Sequence, residues 1–356
     1  MPLSGSGARV VASVGGAIAL ASVCVAIAVA SLGATSFHAP GDVQRASSEP
    51  TAAPAMTLQA CGDLQDRIDA TPAGGRLDVS GCDFASGARV DRPITLVGGT
   101  IRLPAGTTGL KVRANDVTLD GVTVIGAQRA SFVWDEIAIL ASGIAERPVE
   151  RLTVRNGTFR SLGNAGLWLD HVAELTVVDS VVEDVVYGGI MVLSGSGGRI
   201  EGNVVRGIGV SGSEANSGNA YGIAITRGSG SLMSAPPSSD VVVRGNTVEN
   251  VPTWEALDTH AGLRVVFDGN TTRGVARPMV ITTDEDGHRP ADIVITGNRF
   301  EAPLDGARAG SVVLLSSADR VTIAENAAFG WPADAVLEDS GGMSVDVTIR
   351  DNVMWP

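Results

Sequence analysis

The chain has 356 residues, of which 44% are hydrophobic and only 4% aromatic, and it contains 45 glycines. Its formal net charge is −13 at pH 7, and arginine supplies almost all of the positive charge. A broadly acidic surface cannot neutralise a row of phosphates, which argues against nucleic acid as a partner. It also argues against a long polyanionic substrate, unless positive charge is concentrated in one groove.

The N-terminal part of the chain predicts export. Residues 10–32 carry no charge and are almost all apolar or small, which suits a membrane anchor or a long signal peptide equally well. We therefore predict a signal peptide or N-terminal anchor over residues 1–34, and a disordered Ala/Ser/Pro linker over residues 35–57. The folded domain is expected over residues 58–356, secreted or at the cell surface, with membrane contact only through the N-terminal segment.

A cysteine pair marks the start of this domain. Cys61 and Cys82 lie twenty-one residues apart, and in an exported protein such a pair predicts a disulfide of on the order of 3 kcal/mol. Between them, Leu64 and Ile68 alternate with charged residues as in one short amphipathic helix. Because an open solenoid end exposes apolar side chains and an unpaired strand edge, we expect this helix to cap the first turn.

A short β-branched run that ends in a small or polar pair recurs nine times between residues 117 and 352. The period of about 24 residues, with longer insertions, indicates a solenoid. It is too short for a strand with a packed helix and suits one turn of a parallel β-helix. Six of the runs end in asparagine, and we expect their amides to stack as a ladder at one corner: Asn203, Asn246, Asn270, Asn298, Asn326 and Asn352.

This pattern resembles the right-handed parallel β-helix superfamily of pectate lyases, polysaccharide epimerases and phage tailspikes, over roughly residues 60–356. The resemblance implies an all-β fold, a right-handed parallel β-helix of about ten rungs with the short helix as its N-terminal cap. It also makes a polysaccharide the expected partner.

One rung, residues 254–261, departs from the apolar pattern. Strand alternation puts Asp258 and His260 on one face, and Leu257 and Thr259 on the other. The register that buries Asp258 and His260 would cost several kcal/mol unless both were paired. We therefore predict that Leu257 fills the interior and that Asp258 and His260 point to the solvent.

Neighbouring rungs add polar groups to the same face. Rungs stack about 4.8 Å apart, which places Asp284 one rung from Asp258. The preceding rung presents Thr226 with Arg227 at its edge, and Thr282 faces outward on the following rung. Two carboxylates, an imidazole and a guanidinium on one face form a candidate acid/base site, in which one carboxyl pKa should be raised by the other carboxylate.

The sequence Asp258-Thr-His260 looks like the Asp-Pro-His motif of mannuronan C5-epimerases. The resemblance implies that His260 is the base that removes the C5 proton. It also implies that Asp258 and Asp284 assist at the uronate carboxylate, with Arg227 as its positive partner.

The chain departs from that family at two positions of the motif. Glu255 occupies the place of a tyrosine, and Thr259 replaces the proline; Tyr221 on the preceding rung is a candidate substitute for the tyrosine. Two tryptophans can either stack on sugar rings or pack under a loop. The predicted substrate-binding residues are Trp254, Glu255, Tyr221, Trp168, Thr226 and Thr282.

No cofactor is predicted. The acidic stretch from Asp284 to His288 offers oxygen ligands that suit Ca²⁺, although an acidic solvated loop explains it as well. Ca²⁺ is therefore the one ion whose binding is compatible with the sequence.

Three functions fit this reading, and we favour the first. His260 removes a proton beside a uronate carboxylate, giving C5-epimerisation or β-elimination, while Arg227 stabilises the enediolate. Alternatively, Asp258 and Asp284 hydrolyse a glycosidic bond, since carboxyls one rung apart lie near the roughly 5 Å of retaining glycosidases. The third function is a non-catalytic solenoid that binds glycan or protein, in which Asp258, His260 and Asp284 do not converge.

Overall fold

The computed structural model describes residues 61–127, 131–209, 218–302 and 310–356. The predicted N-terminal hydrophobic segment and linker lie outside these residues and stay predictions. Within the described part of the chain, no helix is long and apolar enough to cross a membrane. The described residues form an all-β parallel solenoid of about ten turns, so the predicted fold class is confirmed.

One helix and 31 strands make up the described residues. The helix α1 spans Leu64–Ala70, and the strands are β1 (Gly75–Asp78), β2 (Asp83–Phe84), β3 (Ala88–Val90), β4 (Ile94–Val97), β5 (Thr100–Arg102), β6 (Leu110–Val112), β7 (Thr118–Asp120), β8 (Thr123–Ile125), β9 (Ile137–Ser142), β10 (Val149–Glu150), β11 (Thr153–Arg155), β12 (Thr158–Leu162), β13 (Ala165–Asp170), β14 (Val172–Val178), β15 (Val181–Val185), β16 (Gly188–Leu193), β17 (Ser196–Glu201), β18 (Val204–Ile208), β19 (Tyr221–Thr226), β20 (Ser239–Arg244), β21 (Thr247–His260), β22 (Val266–Asp268), β23 (Thr271–Thr282), β24 (Ala291–Thr296), β25 (Arg299–Glu301), β26 (Val313–Ser316), β27 (Asp319–Ala324), β28 (Ala327–Phe329), β29 (Leu337–Asp339), β30 (Val345–Arg350) and β31 (Val353–Trp355).

These strands pair in parallel from one turn to the next and form two long sheets. One sheet runs from β1 through β4, β7 and β11 to β30, and the other holds the remaining faces of each turn. Residues at equivalent positions stack directly; Val154, for example, pairs with Leu119 before it and with Val177 after it. The interior is therefore a set of apolar columns, and its largest fully buried rings are Phe159, Phe267, Phe300 and Trp331.

The predicted asparagine ladder is confirmed. The side-chain Nδ2 of Asn246 donates to Oδ1 of Asn270 at 3.0 Å and to the Ile200 carbonyl at 2.8 Å. The backbone N–H of Asn246 donates to the same Oδ1 at 3.0 Å, and this arrangement recurs along the ladder. The amides thereby satisfy one another inside the solenoid wall. Gly245, at φ +62°, provides the left-handed turn that leads into the ladder.

The first turn is covered as predicted. Asp63 caps α1 by accepting hydrogen bonds from the backbone N–H of Gln65 at 2.8 Å and of Asp66 at 3.2 Å. Leu64 and Ile68 are buried in the core at the open end of the solenoid. The disulfide between Cys61 and Cys82 is present and ties the segment before the helix to the first turn.

Candidate active site

A cleft of about 460 Å³ lies on the outer face of the turns that contain β13, β16, β19 and β21. Aromatic and ionisable side chains contribute most of its lining, beside small and aliphatic residues. The aromatic and ionisable residues are Trp134, Trp168, Tyr187 and Tyr221, with Arg227, Asp258, His260, Asp284, Glu285 and Asp286. The structure thus brings all four residues predicted to be catalytic to one cleft.

Asp258 points out of the solenoid, as predicted, but it is not solvent-exposed. Leu257 lies in the interior core, whereas Asp258 borders the cleft and pairs with Ala224 and Val280 in the adjacent turns. Its side chain is only 1% exposed, because the outer face there carries a second hydrophobic cluster around Met191 and Ala224. The predicted solvent position is therefore corrected to a buried position in the cleft wall.

Burial controls the charge of Asp258. Neither carboxyl oxygen accepts a hydrogen bond from the described residues, and the nearest cation is Nε2 of His260, 3.5 Å from Oδ2. Burial raises the pKa of Asp258 well above its ordinary value, and Glu255 raises it further, while His260 opposes the rise. The site therefore favours the neutral, proton-donating form of this carboxyl.

His260 is paired with a carboxylate of its own strand. Its Nε2 lies 3.2 Å from Oε2 of Glu255, whose Oε1 lies 3.4 Å from Nη1 of Arg277. Burial lowers the pKa of His260, but the hydrogen bond to Glu255 and the charges of Asp258 and Asp284 outweigh it and raise the value to about 9. The imidazole is thus favoured as a cation, which disagrees with the expectation that it is a resting base.

The partnership of Glu255 with His260 was missed by strand alternation. Ala256 and Leu257 both lie in the interior core, so two consecutive residues face inward and Glu255 faces outward like Asp258. The sequence carries a signal for this corner, a column of small residues at Gly166, Gly189, Gly222 and Ala256. A Cβ on Gly222 would collide with the carbonyl oxygen of Ala256, which explains the small residue there.

Arg227 is not a free partner for a substrate carboxylate, and this prediction is corrected. Its Nη1 lies 2.8 Å from Oδ2 of Asp284 and 2.9 Å from Oδ2 of Asp286. Its Nε donates to the Ala235 carbonyl at 3.2 Å, and its Nη2 donates to the Gly230 carbonyl. With 4% of its side chain exposed, Arg227 joins the loop after β19 to the loop after β23.

Asp284 lies two residues beyond the end of β23, and its carboxylate borders the cleft. It accepts hydrogen bonds from the backbone N–H and Nδ1 of His288, each at 2.8 Å. Burial raises its pKa, but His288 and Arg227 outweigh that effect and hold the pKa below its ordinary value. The environments of Asp258 and Asp284 therefore shift their pKa values in opposite directions.

The acidic loop does not fit Ca²⁺ well. Asp284, Asp286 and His288 bring ligand atoms within 4.8 Å of one another, but they offer two carboxylates and one nitrogen. Ca²⁺ takes six to eight oxygens, roughly, in its protein sites. In addition, the guanidinium of Arg227 already lies among these atoms and would repel a metal cation.

The aromatic residues form a continuous run toward His260. Ring centroids are 6.1 Å apart between Trp134 and Trp168, 6.3 Å between Trp168 and Tyr187, and 5.4 Å between Tyr187 and Tyr221. The Tyr221 ring then lies edge-on to His260 at 6.1 Å. Trp168 and Tyr221 were predicted to bind substrate, whereas Tyr187, whose pKa burial and nearby carboxylates raise to about 12, was missed.

Of the other predicted binding residues, one lines the cleft and two lie outside it. Thr226 lines the cleft and its hydroxyl donates to the His260 carbonyl at 3.3 Å. Trp254 does not line it; the guanidinium of Arg277 covers its ring at 4.1 Å from the centroid. Thr282 pairs with His260 across the turns but also lies outside the cleft. Of the two readings of Trp254, the structure therefore favours packing over sugar stacking.

A family model described as "Right handed beta helix region" matches residues 142–276, which supports the fold that the sequence resemblance implied. No curated protein matches the sequence.

Three of the solved structures that are similar to this chain are a mannuronan C-5 epimerase module, an alginate lyase and a DFA-IIIase, according to their names. The A-module of Azotobacter vinelandii mannuronan C-5 epimerase AlgE4 is 15% identical, with 84% of this chain and 95% of that chain covered and a TM-score of 0.44. An alginate lyase from Paenibacillus sp. str. FPU-7 is 12% identical, with 82% and 94% covered and a TM-score of 0.51. DFA-IIIase from Arthrobacter chlorophenolicus A6 is 10% identical, with 82% and 81% covered and a TM-score of 0.53. At these identities the similarity to the two structures with TM-scores above 0.5 establishes the fold alone.

Proposed function

We propose that the chain is an exported carbohydrate-active enzyme that hydrolyses a glycosidic bond of a polysaccharide held in the aromatic cleft. The observation that carries this proposal is the buried carboxyl of Asp258, whose pKa is raised, in a cleft that also contains ionised Asp284. Glycosidases need one protonated and one ionised carboxyl at the same pH. The disulfide between Cys61 and Cys82 supports export.

Asp258 is assigned as the general acid that protonates the leaving glycosidic oxygen. When it has donated its proton, a carboxylate remains in a buried position, and the imidazolium of His260, 3.5 Å away, stabilises it. Glu255 keeps His260 charged and oriented for this task. Asp284 is assigned to the anomeric carbon, either as the nucleophile whose glycosyl-enzyme is then hydrolysed by water or as the base that takes a proton from the attacking water. In both cases water supplies the hydroxyl of the new reducing end, and the proton of Asp258 goes to the leaving oxygen.

The charge of the cleft favours a neutral sugar at the reacting centre. Asp284, Glu285 and Asp286 all line this region, and Arg227 is already paired with two of them. The other cation of the lining, His260, is paired with Glu255, so every cation among the described lining residues already has a carboxylate partner and a uronate carboxylate here would find none. For this reason we place hydrolysis above the proton abstraction that the sequence motif favoured.

Proton abstraction from a uronate remains the second candidate, because Tyr221 lies against His260. Tyr221 is paired with Glu255 across the turns and so occupies the predicted substitute position for the family's tyrosine. However, burial and the charges of Asp258 and Glu255 raise the pKa of Tyr221, and the pKa of His260 is also raised. Both groups therefore favour their protonated forms, whereas abstraction requires one of the two to act as a base.

Product chemistry separates the candidates. The purified protein would be incubated with neutral and uronate-containing polysaccharides in water enriched in heavy oxygen, and products would be analysed by mass spectrometry. Hydrolysis adds the heavy oxygen at each new reducing end, and elimination leaves an unsaturated uronate. Epimerisation leaves chain length and mass unchanged, so a parallel incubation in deuterium oxide detects it by deuterium that enters at C5. We expect labelled reducing ends from a glycan with neutral sugars. Unsaturated or epimerised products would establish the second candidate, and retention of glycan without any product would establish a binding solenoid.

A further inference from the structure

A second pocket, of about 410 Å³, lies near the N-terminal end of the solenoid. Arg89 and Lys111 line it together with Thr107 and Asp135. Lys111 is the only lysine in the sequence. The positive charge here differs from the rest of a chain whose net charge is −13.

This pocket lies on the same outward column as Asp258. The register of adjacent turns joins the positions without a break, in the order Arg89, Lys111, Leu140, Trp168, Met191, Ala224 and Asp258. Five turn-to-turn steps separate Lys111 from Asp258, or about 24 Å at roughly 4.8 Å per step. Trp134 borders the cleft and the next residue, Asp135, borders the second pocket, so the two cavities meet at one loop.

Charge is separated along this column. At the cleft the described lining residues include Asp284, Glu285 and Asp286, besides the neutral Asp258, against Arg227 and His260, and Arg227 is paired. At the second pocket Asp135 is the one acid among the lining residues, against two cations. Arg89 has only a loose, exposed contact with Asp91 at 3.8 Å. Among the described residues, no ion pair is formed by Lys111.

We propose that the pocket of Arg89 and Lys111 binds an anionic group, a carboxylate or a sulfate, carried by the same glycan several sugar units away from the bond at Asp258. The proposal rests on the function proposed above and specifies its substrate: neutral at the reacting centre and anionic toward the N-terminal end. A guanidinium fork and a flexible ammonium together suit either kind of oxyanion. The aromatic run around Trp168 lies between the two sites and supplies the surface on which the intervening sugars lie.

The single lysine makes a direct test. Reductive methylation of the full chain with carbon-13 formaldehyde labels only Lys111 and the N-terminal amine, and it keeps the lysine charge. The labelled protein would be titrated with three oligogalactans of equal length: one that ends in a single galacturonate, one that ends in a single sulfated galactose and one that is neutral throughout. We expect a saturable shift of the Lys111 signal with at least one anionic oligosaccharide and none with the neutral one. The arm that shifts the signal identifies the anion as carboxylate or sulfate. No shift with either anion, or equal shifts with all three, would overturn the proposal.

Two arginines provide a matched comparison. Arg89 and Arg76 are similarly exposed, at 61% and 58% of their side chains, and each lies 3.7 to 3.8 Å from an aspartate two residues on. Arg89→Gln is expected to weaken binding of the anionic oligosaccharide about tenfold, whereas Arg76→Gln leaves it unchanged. Equal affinities for the two variants would contradict the site. Because the Lys111 signal is independent of turnover, it also separates failure of this subsite from failure of the proposed hydrolysis.

Discussion

Nε2 of His260 lies 3.2 Å from Oε2 of Glu255, five positions earlier in the same fourteen-residue strand, β21. The contact exists because the register of β21 is irregular between Val251 and Glu255, and because Ala256 and Leu257 both face the interior. It makes Glu255 the residue that holds His260 as a cation beside buried Asp258.

Glu255→Gln should lower the pKa of His260 from about 9 toward its ordinary value of 6.5, because the charged hydrogen-bond partner is lost. A raised histidine pKa stabilises the fold fully below pH 6.5, and this stabilisation is lost as pH rises through about 9. The variant should therefore lose more stability at pH 6 than at pH 10. NMR titration of the four histidines checks the pKa.

Glu249→Gln is the matched control for that titration. Glu249 lies in the same strand and is paired with Arg273 at 3.2 Å, away from the cleft. The Glu249→Gln variant should leave the pKa of His260 unchanged. A His260 pKa that is the same in Glu255→Gln as in the native protein would show that Glu255 does not set the charge.

Asp258→Asn should stabilise the protein at alkaline pH. A carboxyl whose pKa is raised on folding contributes stability below its unfolded pKa of about 3.9, and this contribution is lost as pH rises through the folded pKa. The amide removes the cost of ionising a buried group, so a gain of about 1 to 3 kcal/mol is expected at high pH and little change at pH 4. Urea unfolding at several pH values measures this difference, with exposed Asp346→Asn as the control. A variant that is less stable than the native protein at pH 9 would contradict the assignment.

Arg227→Met should release the loop between β19 and β20. It removes contacts to Asp284, Asp286 and two loop carbonyls from a side chain that is 4% exposed. Breaking a buried ion pair in this way costs about 3 to 5 kcal/mol. Urea unfolding and limited proteolysis within residues 228–238 measure the effect.

Arg264→Met tests whether burial of the ion pair is the reason for the stability loss expected in Arg227→Met. Arg264 makes a bidentate pair with Asp240 at 2.6 and 2.7 Å, but both side chains are half exposed. Such a surface pair contributes little to the free energy of unfolding, so Arg264→Met should keep nearly native stability. Equal losses in the two arginine variants would mean that the Arg227 network does not hold the loop.

Asn270→Ala should be much more damaging than Asn352→Ala. Asn270 accepts two hydrogen bonds from Asn246 and donates to the Val243 carbonyl and to Asn298, all inside the solenoid. Its removal leaves several buried polar groups unpaired, each at about 1 to 3 kcal/mol. Asn352 ends the ladder and is partly exposed, so water can replace it. Thermal unfolding of both variants checks the order, and equal losses would exclude a cooperative ladder.

Much of the fold follows from the sequence, because its determinants repeat. The asparagine column, the inward apolar positions and the capping helix each depend on neighbours at fixed spacing. Asn246 and Asn270, for example, meet because every turn returns to the same corner. Cys61 and Cys82 are also local, and their pairing was predicted from the two positions alone.

The site was less predictable, because it depends on contacts between insertions of different length. The groups that accept hydrogen bonds from Arg227 come from two loops, one after β19 and one after β23, and no periodicity relates the two loops. The burial of Asp258 depends on Met191 and Tyr221, which lie in the two preceding turns. Strict alternation would also place Glu255 on the inward face together with Leu257. Because Ala256 and Leu257 both face inward, Glu255 faces outward instead.

The most direct test is the rate at which the protein cuts its glycan, compared between the native chain, Asp258→Asn and the exposed control Asp346→Asn. If Asp258 donates the proton to the leaving oxygen, its variant should lose a factor of at least about 100 in kcat, while the control keeps the native rate. The folded state of both variants would be verified by the same unfolding curves. A properly folded Asp258→Asn protein that cuts glycan at the native rate would contradict the account.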